Sequence, residues 1–162
     1  MDVAIIGDSH IPSRESAIPD PFRERIAAAD HVLHTGDFDS EGALANLRAE
    51  ATDLTAVSGN MDPTLGLPET TTLDLGGVEV VLTHGTGPPK GWHDRLAELV
   101  VDKVGPAGIG VAGHTHRVVD TVHNGVRLLN PGSVTGAMPA RGATMFTAEV
   151  ADGEIDVTHH ER

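Results

Sequence analysis

Cysteine is absent from the 162 residues, which excludes disulfide scaffolds, thiolate zinc sites and cysteine nucleophiles. Lysine is nearly absent, with only Lys90 and Lys103, and 11 basic residues face 24 acidic ones for a formal charge of −13. General binding to nucleic acid or to an anionic membrane needs a basic face to neutralise phosphates, so that class is disfavoured, while a locally positive site remains allowed. Aromatic residues make up 2% of the chain. No apolar run reaches the roughly 18 residues of a membrane span. The opening MDVAIIGDSH lacks the basic region and long apolar stretch of a secretory signal, so a cytoplasmic location is expected. High negative charge with almost no lysine reads as adaptation to a salty cytoplasm, with compositional drift as the alternative. Ten histidines stand against these absences, and histidine is the commonest metal ligand.

The length predicts one domain over residues 1–162. Val3 to Ile6 is a short apolar run stopping at Gly7, as a buried strand does. Asp20-Pro21 predicts a capped helix over Phe22 to Ala29, and Ser40 caps a second that carries Leu44 and Leu47 on one face. Strands are expected at His31 to His34 and Leu54 to Val57, completing a βαβαβ half. The second half is built from hairpins, with turns at Gly76-Gly77, Asn124-Gly125 and Asp152-Gly153. Between the first two lie a helix over Trp92 to Val104 and a buried strand over Ile109 to Ala112. The last hairpin pairs Thr144 to Val150 with Glu154 to Thr158. Such a chain is α/β (α+β), two stacked mixed sheets flanked by helices.

Polar residues of metal-binding type follow five of the strands: Asp8-Ser9-His10, Gly36-Asp37, Gly59-Asn60, His84-Gly85 and Gly113-His114-Thr115-His116. Strand ends are where α/β folds place ligand sites. Taken singly, Asp8 or Asp37 reads as a turn residue, His84 as a bonded core histidine and Asn60 as an Asx-turn. Together they offer two carboxylates, one amide oxygen and four imidazoles, without sulfur. That set suits borderline divalent transition metals better than magnesium. Seven donors exceed one tetrahedral site and fit two ions that share a carboxylate.

These motifs, in this order, resemble the calcineurin-like metallophosphoesterases. The chain is most similar to their short archaeal and bacterial phosphodiesterase branch, which also resembles the retromer scaffold subunit. The match runs from residue 1 to about Ser133 and includes Asn130-Pro131-Gly132-Ser133. The resemblance implies a four-layer sandwich and a binuclear centre. Asp8, His10, Asp37 and His116 would hold one ion and Asp37, Asn60, His84 and His114 the other, with manganese expected and nickel, cobalt, iron or zinc as alternatives. A metal-bridging hydroxide would attack phosphorus in line, with His84 and His114 nearest the phosphate. His34 is either a support behind the ligands or a buried histidine bonded to backbone. His31, His93, His123, His159 and His160 fall outside the motifs and are expected on the surface or in loops.

One departure bears on mechanism. Much of the family has a histidine after the metal-binding asparagine, where it can protonate the leaving group. Here that residue is Met61, which cannot donate a proton. Asp62 is a candidate acid in its place, with a turn contact as its alternative. The expected function is therefore a phosphodiesterase acting on a small-molecule phosphoester. The alternatives are a non-catalytic protein-binding scaffold of the same fold or a phosphomonoesterase. The loops Asn60 to Pro68 and Gly85 to Trp92 are candidate recognition elements, with Trp92 read either as part of that pocket or as an anchor for its helix. Arg141 is a candidate phosphate partner or an ordinary exposed arginine. Oligomeric state is left open, a homo-oligomer included.

Overall fold

The computed structural model describes all 162 residues. The first sheet has the order β10-β9-β1-β2-β3, from β1 (Asp2–Ile6), β2 (His31–His34), β3 (Leu54–Ala56), β9 (Thr144–Ala151) and β10 (Glu154–Glu161). Its β1, β2 and β3 run parallel, linked by α1 (Asp20–Ala28) and α2 (Glu41–Glu50), while β9 pairs antiparallel with both β1 and β10. The second sheet has the order β4-β5-β6-β8-β7, from β4 (Thr70–Leu75), β5 (Val78–Thr83), β6 (Ile109–Val111), β7 (Val118–His123) and β8 (Val126–Pro131). There β5, β6 and β8 are parallel, and antiparallel hairpins close both edges. α3 (Trp92–Val104) crosses from β5 to β6.

Alternation along the strands builds the layers. Val3 and Ile5 of β1 face a core shared with Val80 and Leu82 of β5 and with Leu129 of β8, so this core lies between the sheets. Their neighbours Ala4 and Ile6 face the other way and pack with Phe22, Ile26, Leu44 and Leu47 of α1 and α2. On the far side, Val81 and Leu128 pack with Trp92, Leu96 and Val100 of α3. A period of two on strands buried on both faces thus yields the helix–sheet–sheet–helix sandwich.

Two local expectations are corrected. Asp20 is the first residue of α1 and does not cap it. Pro19 has the extended cap conformation, and its carbonyl accepts from the Phe22 and Arg23 amides at 2.9 and 3.0 Å. Proline has φ fixed near −65° and lacks an N–H, so it suits the start of a helix without a side-chain cap. Second, β10 runs on to Glu161 and places His159 and His160 in a strand, because its pairing with β9 continues to Thr144. Ser40 does cap α2, its Oγ accepting from the Ala43 amide at 3.1 Å.

Candidate metal centre

The parallel strands β1, β2, β3, β5 and β6 all end at one edge of the sandwich, and the five polar motifs follow them there. The backbone is bent to bring them inward. Asp8, His10, Asp37, His114 and His116 all have φ between 47° and 74°, a left-handed conformation that costs a non-glycine residue about 1–3 kcal/mol and clusters at functional sites. Close approach of the loops demands glycine at two points. A Cβ on Gly59 would collide with Asp37 Oδ1, and one on Gly113 would lie 2.6 Å from Asp8 Oδ2.

Two groups of donors result. Asp8, His10 and His116 form one and Asp37, His84 and His114 the other, the atoms of each lying within 4.8 Å of one another. They abut: Asp37 Oδ2 is 3.1 Å from His84 Nε2 and 3.6 Å from His10 Nε2. Asn60 joins the second group, with Oδ1 2.9 Å from His84 Nε2 and 3.0 Å from His114 Nδ1. All seven predicted residues therefore meet at one place.

Each of the four imidazoles is oriented from behind. His10 Nδ1 donates to Asp39 Oδ2 at 2.8 Å, His84 Nδ1 to the Thr35 carbonyl at 2.7 Å and His116 Nδ1 to the Ala137 carbonyl at 2.8 Å. His114 is turned round, its Nε2 donating to the Gly87 carbonyl at 3.0 Å. The remaining nitrogen of every ring then presents a lone pair to the centre. His10 Nε2 and His116 Nε2 face each other at 3.1 Å, and His84 Nε2 faces the oxygens of Asn60 and Asp37. Acceptor facing acceptor is repulsive unless a positive charge lies between them, a proton or a metal ion. Asp8 Oδ1 makes the same demand: it is buried with no hydrogen-bond partner, 3.5 Å from His116 Nε2 and 3.9 Å from both His10 Nε2 and His84 Nε2. Oxygen and nitrogen donors aimed inward, with histidines held by carboxylate or carbonyl acceptors, fit borderline divalent cations.

The electrostatics agree. Burial opposes charge on His84, but Asp37 and Asp8 outweigh it and hold its pKa above the ordinary value. Burial likewise opposes charge on His116, and the Asp8 carboxylate again prevails and raises its pKa. Burial works to raise the Asp37 pKa, yet His84, the Met61 amide and His10 bring it below the usual carboxylate range. The pocket thus favours an anionic Asp37 beside positively charged imidazoles.

His34 lies behind this layer, fully buried, and burial above all lowers its pKa to about 3. Its Nδ1 accepts from the Gly36 amide at 3.0 Å, so the ring proton is on Nε2 and is donated to Ser9 Oγ at 2.7 Å. It thereby supports the turns that carry Asp37 and His10. Asp62 is not placed as an acid. Its two oxygens accept from the amides of Asp37 at 2.9 Å, Gly59 at 2.7 Å and Asp39 at 2.8 Å. A carboxylate serving three backbone donors holds a turn, as its alternative reading expects. Met61 is 50% exposed, and its amide donates to Asp37 Oδ1 at 2.8 Å, which leaves Oδ2 for the centre.

Trp92 is buried, and its Nε1 donates to the Gly113 carbonyl at 3.0 Å; it anchors α3 and steadies the loop leading to His114. The Asn130-Pro131-Gly132-Ser133 segment has the same bracing role: Ser133 Oγ donates to the Asp8 carbonyl at 2.7 Å, and Asn130 Nδ2 to the Gly113 carbonyl at 3.2 Å. Asp39 is the functional residue that sequence reasoning missed. Its only signal is a second aspartate two positions after Asp37.

The calcineurin-like phosphoesterase superfamily domain matches residues 1–153. The chain is 34% identical over 137 residues to a probable metallophosphoesterase of Methanothermobacter thermautotrophicus, covering 83% of this chain and 78% of that one. Among solved structures, a single mutant of Vps29 from Entamoeba histolytica is similar with a TM-score of 0.80 and 28% identity, covering 100% of this chain and 99% of that one. Wild-type Vps29 of the same organism in complex with zinc is similar with a TM-score of 0.69 and 28% identity, covering 99% of each chain. With its motifs at the strand ends and its donors converging, the chain belongs to the calcineurin-like phosphoesterase superfamily, in the branch related to Vps29.

Proposed function

We propose that residues 1–162 form one metallophosphoesterase domain that holds two divalent ions and hydrolyses phosphodiesters. The observation that carries this reading is the position of Asp37 Oδ2 between two inward-facing donor groups. Asp8, His10 and His116 would hold one ion, Asn60, His84 and His114 the other, and Asp37 both. Two such ions supply, when bound, charge stabilisation at the non-bridging phosphate oxygens and activation of a water nucleophile. The chain's own residues set the stage for that chemistry. Asp8 and Asp37 keep the centre electropositive overall by contributing only two negative charges. His84 and His114 sit on the more open side, where Asn60 is exposed, and so lie nearest an entering phosphate. Asp39, Thr35, Ala137 and Gly87 fix the ring orientations. Met61 follows Asn60 in place of an imidazole, and the Asp62 carboxylate beyond it is engaged by backbone amides, which disfavours substrates with poor leaving groups and, with the branch it resembles, favours diesters over alkyl monoesters.

The likeness to Vps29 along the whole chain supports a second reading, a protein-binding scaffold. Retention of all seven donors with their supporting hydrogen bonds favours the enzyme. Elemental analysis of protein purified without chelator should approach two transition-metal ions per chain, and a bis-aryl phosphodiester should be hydrolysed in a metal-dependent way. Asp37→Asn should lose both ions, whereas His10→Ala should mainly lose one. Fully loaded protein with a single ion, or metal-loaded protein inert towards every phosphoester, would reject the reading.

A further inference from the structure

Two grooves flank the candidate ligands, and they differ in charge. One, of about 510 Å³, is lined by Asn60, His84 and Trp92 and contains Glu69 and Arg95, the latter committed to the carbonyls of Lys90 and Pro88. The other, of about 780 Å³, starts at His114 and His116 and is rimmed by Arg117, Arg141 and Arg162, with Glu161 as its one acidic side chain. All three arginines are exposed. Only Arg23 and Arg127 are paired, with Glu50 and Asp120; like the other arginines, the three in this groove have no carboxylate in salt-bridge distance, and here three such groups share one groove. In a chain with 24 acidic residues, three guanidiniums left together and unpaired concentrate positive potential that an anion would neutralise.

Their attachment ties them to the metal-binding residues. Arg117 directly follows His116, and Arg141 lies on the segment whose Ala137 carbonyl holds His116 Nδ1. Both are thus held in register with the centre. Guanidinium forks match phosphate oxygens, and several of them suit a dianion better than a carboxylate. We infer, resting on the phosphoesterase reading above, that the groove of Arg117, Arg141 and Arg162 seats a second phosphate group of the substrate. Preferred substrates are then phosphodiesters that carry a further phosphate beyond the one cleaved.

The test uses metal-loaded protein and two nucleotide ligands, thymidine 5′-monophosphate and thymidine 3′,5′-bisphosphate, followed by calorimetry. The wild type should bind the bisphosphate about tenfold or more tightly than the monophosphate, the effect of at least one added hydrogen bond between charged groups. The double variant Arg117→Gln/Arg141→Gln should lose that preference while binding the monophosphate unchanged. Arg25→Gln/Arg48→Gln removes the same charge elsewhere on the surface and should keep it. Hydrolysis of the p-nitrophenyl ester of thymidine 5′-phosphate, with and without a 3′-phosphate, should show a raised KM in the groove variant for the 3′-phosphorylated ester alone, with kcat unaltered. Equal wild-type affinity for the two nucleotides overturns the inference, as does equal weakening of both by the groove variant. Preferential binding without hydrolysis of either ester would instead reject the phosphoesterase reading and leave the phosphate subsite standing.

Discussion

Asp39 accepts the Nδ1 hydrogen of His10 at 2.8 Å, and this contact decides which nitrogen of His10 faces Asp8 and His116. A carboxylate behind a ligating imidazole fixes its tautomer and raises its basicity. Asp39→Ala should weaken metal binding by about 10–100-fold, measured by competition with a coloured chelator, with the loss confined to the His10 side. An unchanged affinity would show that the ring is held adequately by its packing.

His34 gives the fold an acid-sensitive point. Its folded pKa is about 3 against roughly 6.5 in an unfolded chain. The folded state therefore binds fewer protons than the unfolded one between those values, and stability falls as pH falls through that window. One such group removes about 3 kcal/mol between pH 6.5 and 4. His34→Gln should be less stable at pH 7, where the Ser9 and Gly36 contacts are disturbed. Its melting temperature should nevertheless decline less steeply towards pH 4, and an identical slope would assign the acid sensitivity elsewhere.

Most of the architecture was legible in the sequence because it rests on short apolar runs and on two-residue turns. The strand β2 and the helix α3 fall on their expected residues, and the turn at Gly76-Gly77 joins β4 to β5 as expected. The misreadings sit where local rules give way to tertiary contacts. Asp20 looks like a cap until Pro19 takes the role, and His159 and His160 look like loop or surface residues until pairing with β9 extends the strand. The seven ligand candidates were legible from their type and their place after strands. Their supports were not: whether an aspartate holds a ring, as Asp39 does, or a turn, as Asp62 does, depends on which amides and nitrogens the fold brings near.

Salt should stabilise this protein. Only Asp20, Glu50 and Asp120 lie within salt-bridge distance of an arginine, so most of the 24 acidic side chains repel one another with little local compensation. Screening shortens that repulsion from about 30 Å at 0.01 M salt to about 3 Å at 1 M. The melting temperature should rise from dilute buffer to molar potassium chloride. A flat response would leave compositional drift as the source of the charge.

Under the proposed phosphoesterase reading, Met61 should govern the choice of leaving group. It stands beside Asn60 with its side chain half exposed, while the neighbouring Asp62 is fully engaged by backbone amides. With no proton donor at this edge, the departing oxygen must leave as an anion. A nitrophenolate does so readily near neutral pH, and an alkoxide does not. Metal-dependent hydrolysis of aryl phosphodiesters should therefore be measurable and that of alkyl phosphate monoesters much slower, since general acid catalysis is typically worth about 10²–10⁴-fold. Met61→His puts an imidazole on the same exposed turn without disturbing the backbone amide that holds Asp37 Oδ1, and it should narrow the gap by accelerating the alkyl substrates selectively. Equal rates on aryl diesters and alkyl monoesters in the wild type would mean that a proton donor other than residue 61 serves the leaving group. The same comparison in the variant would then show no selective gain.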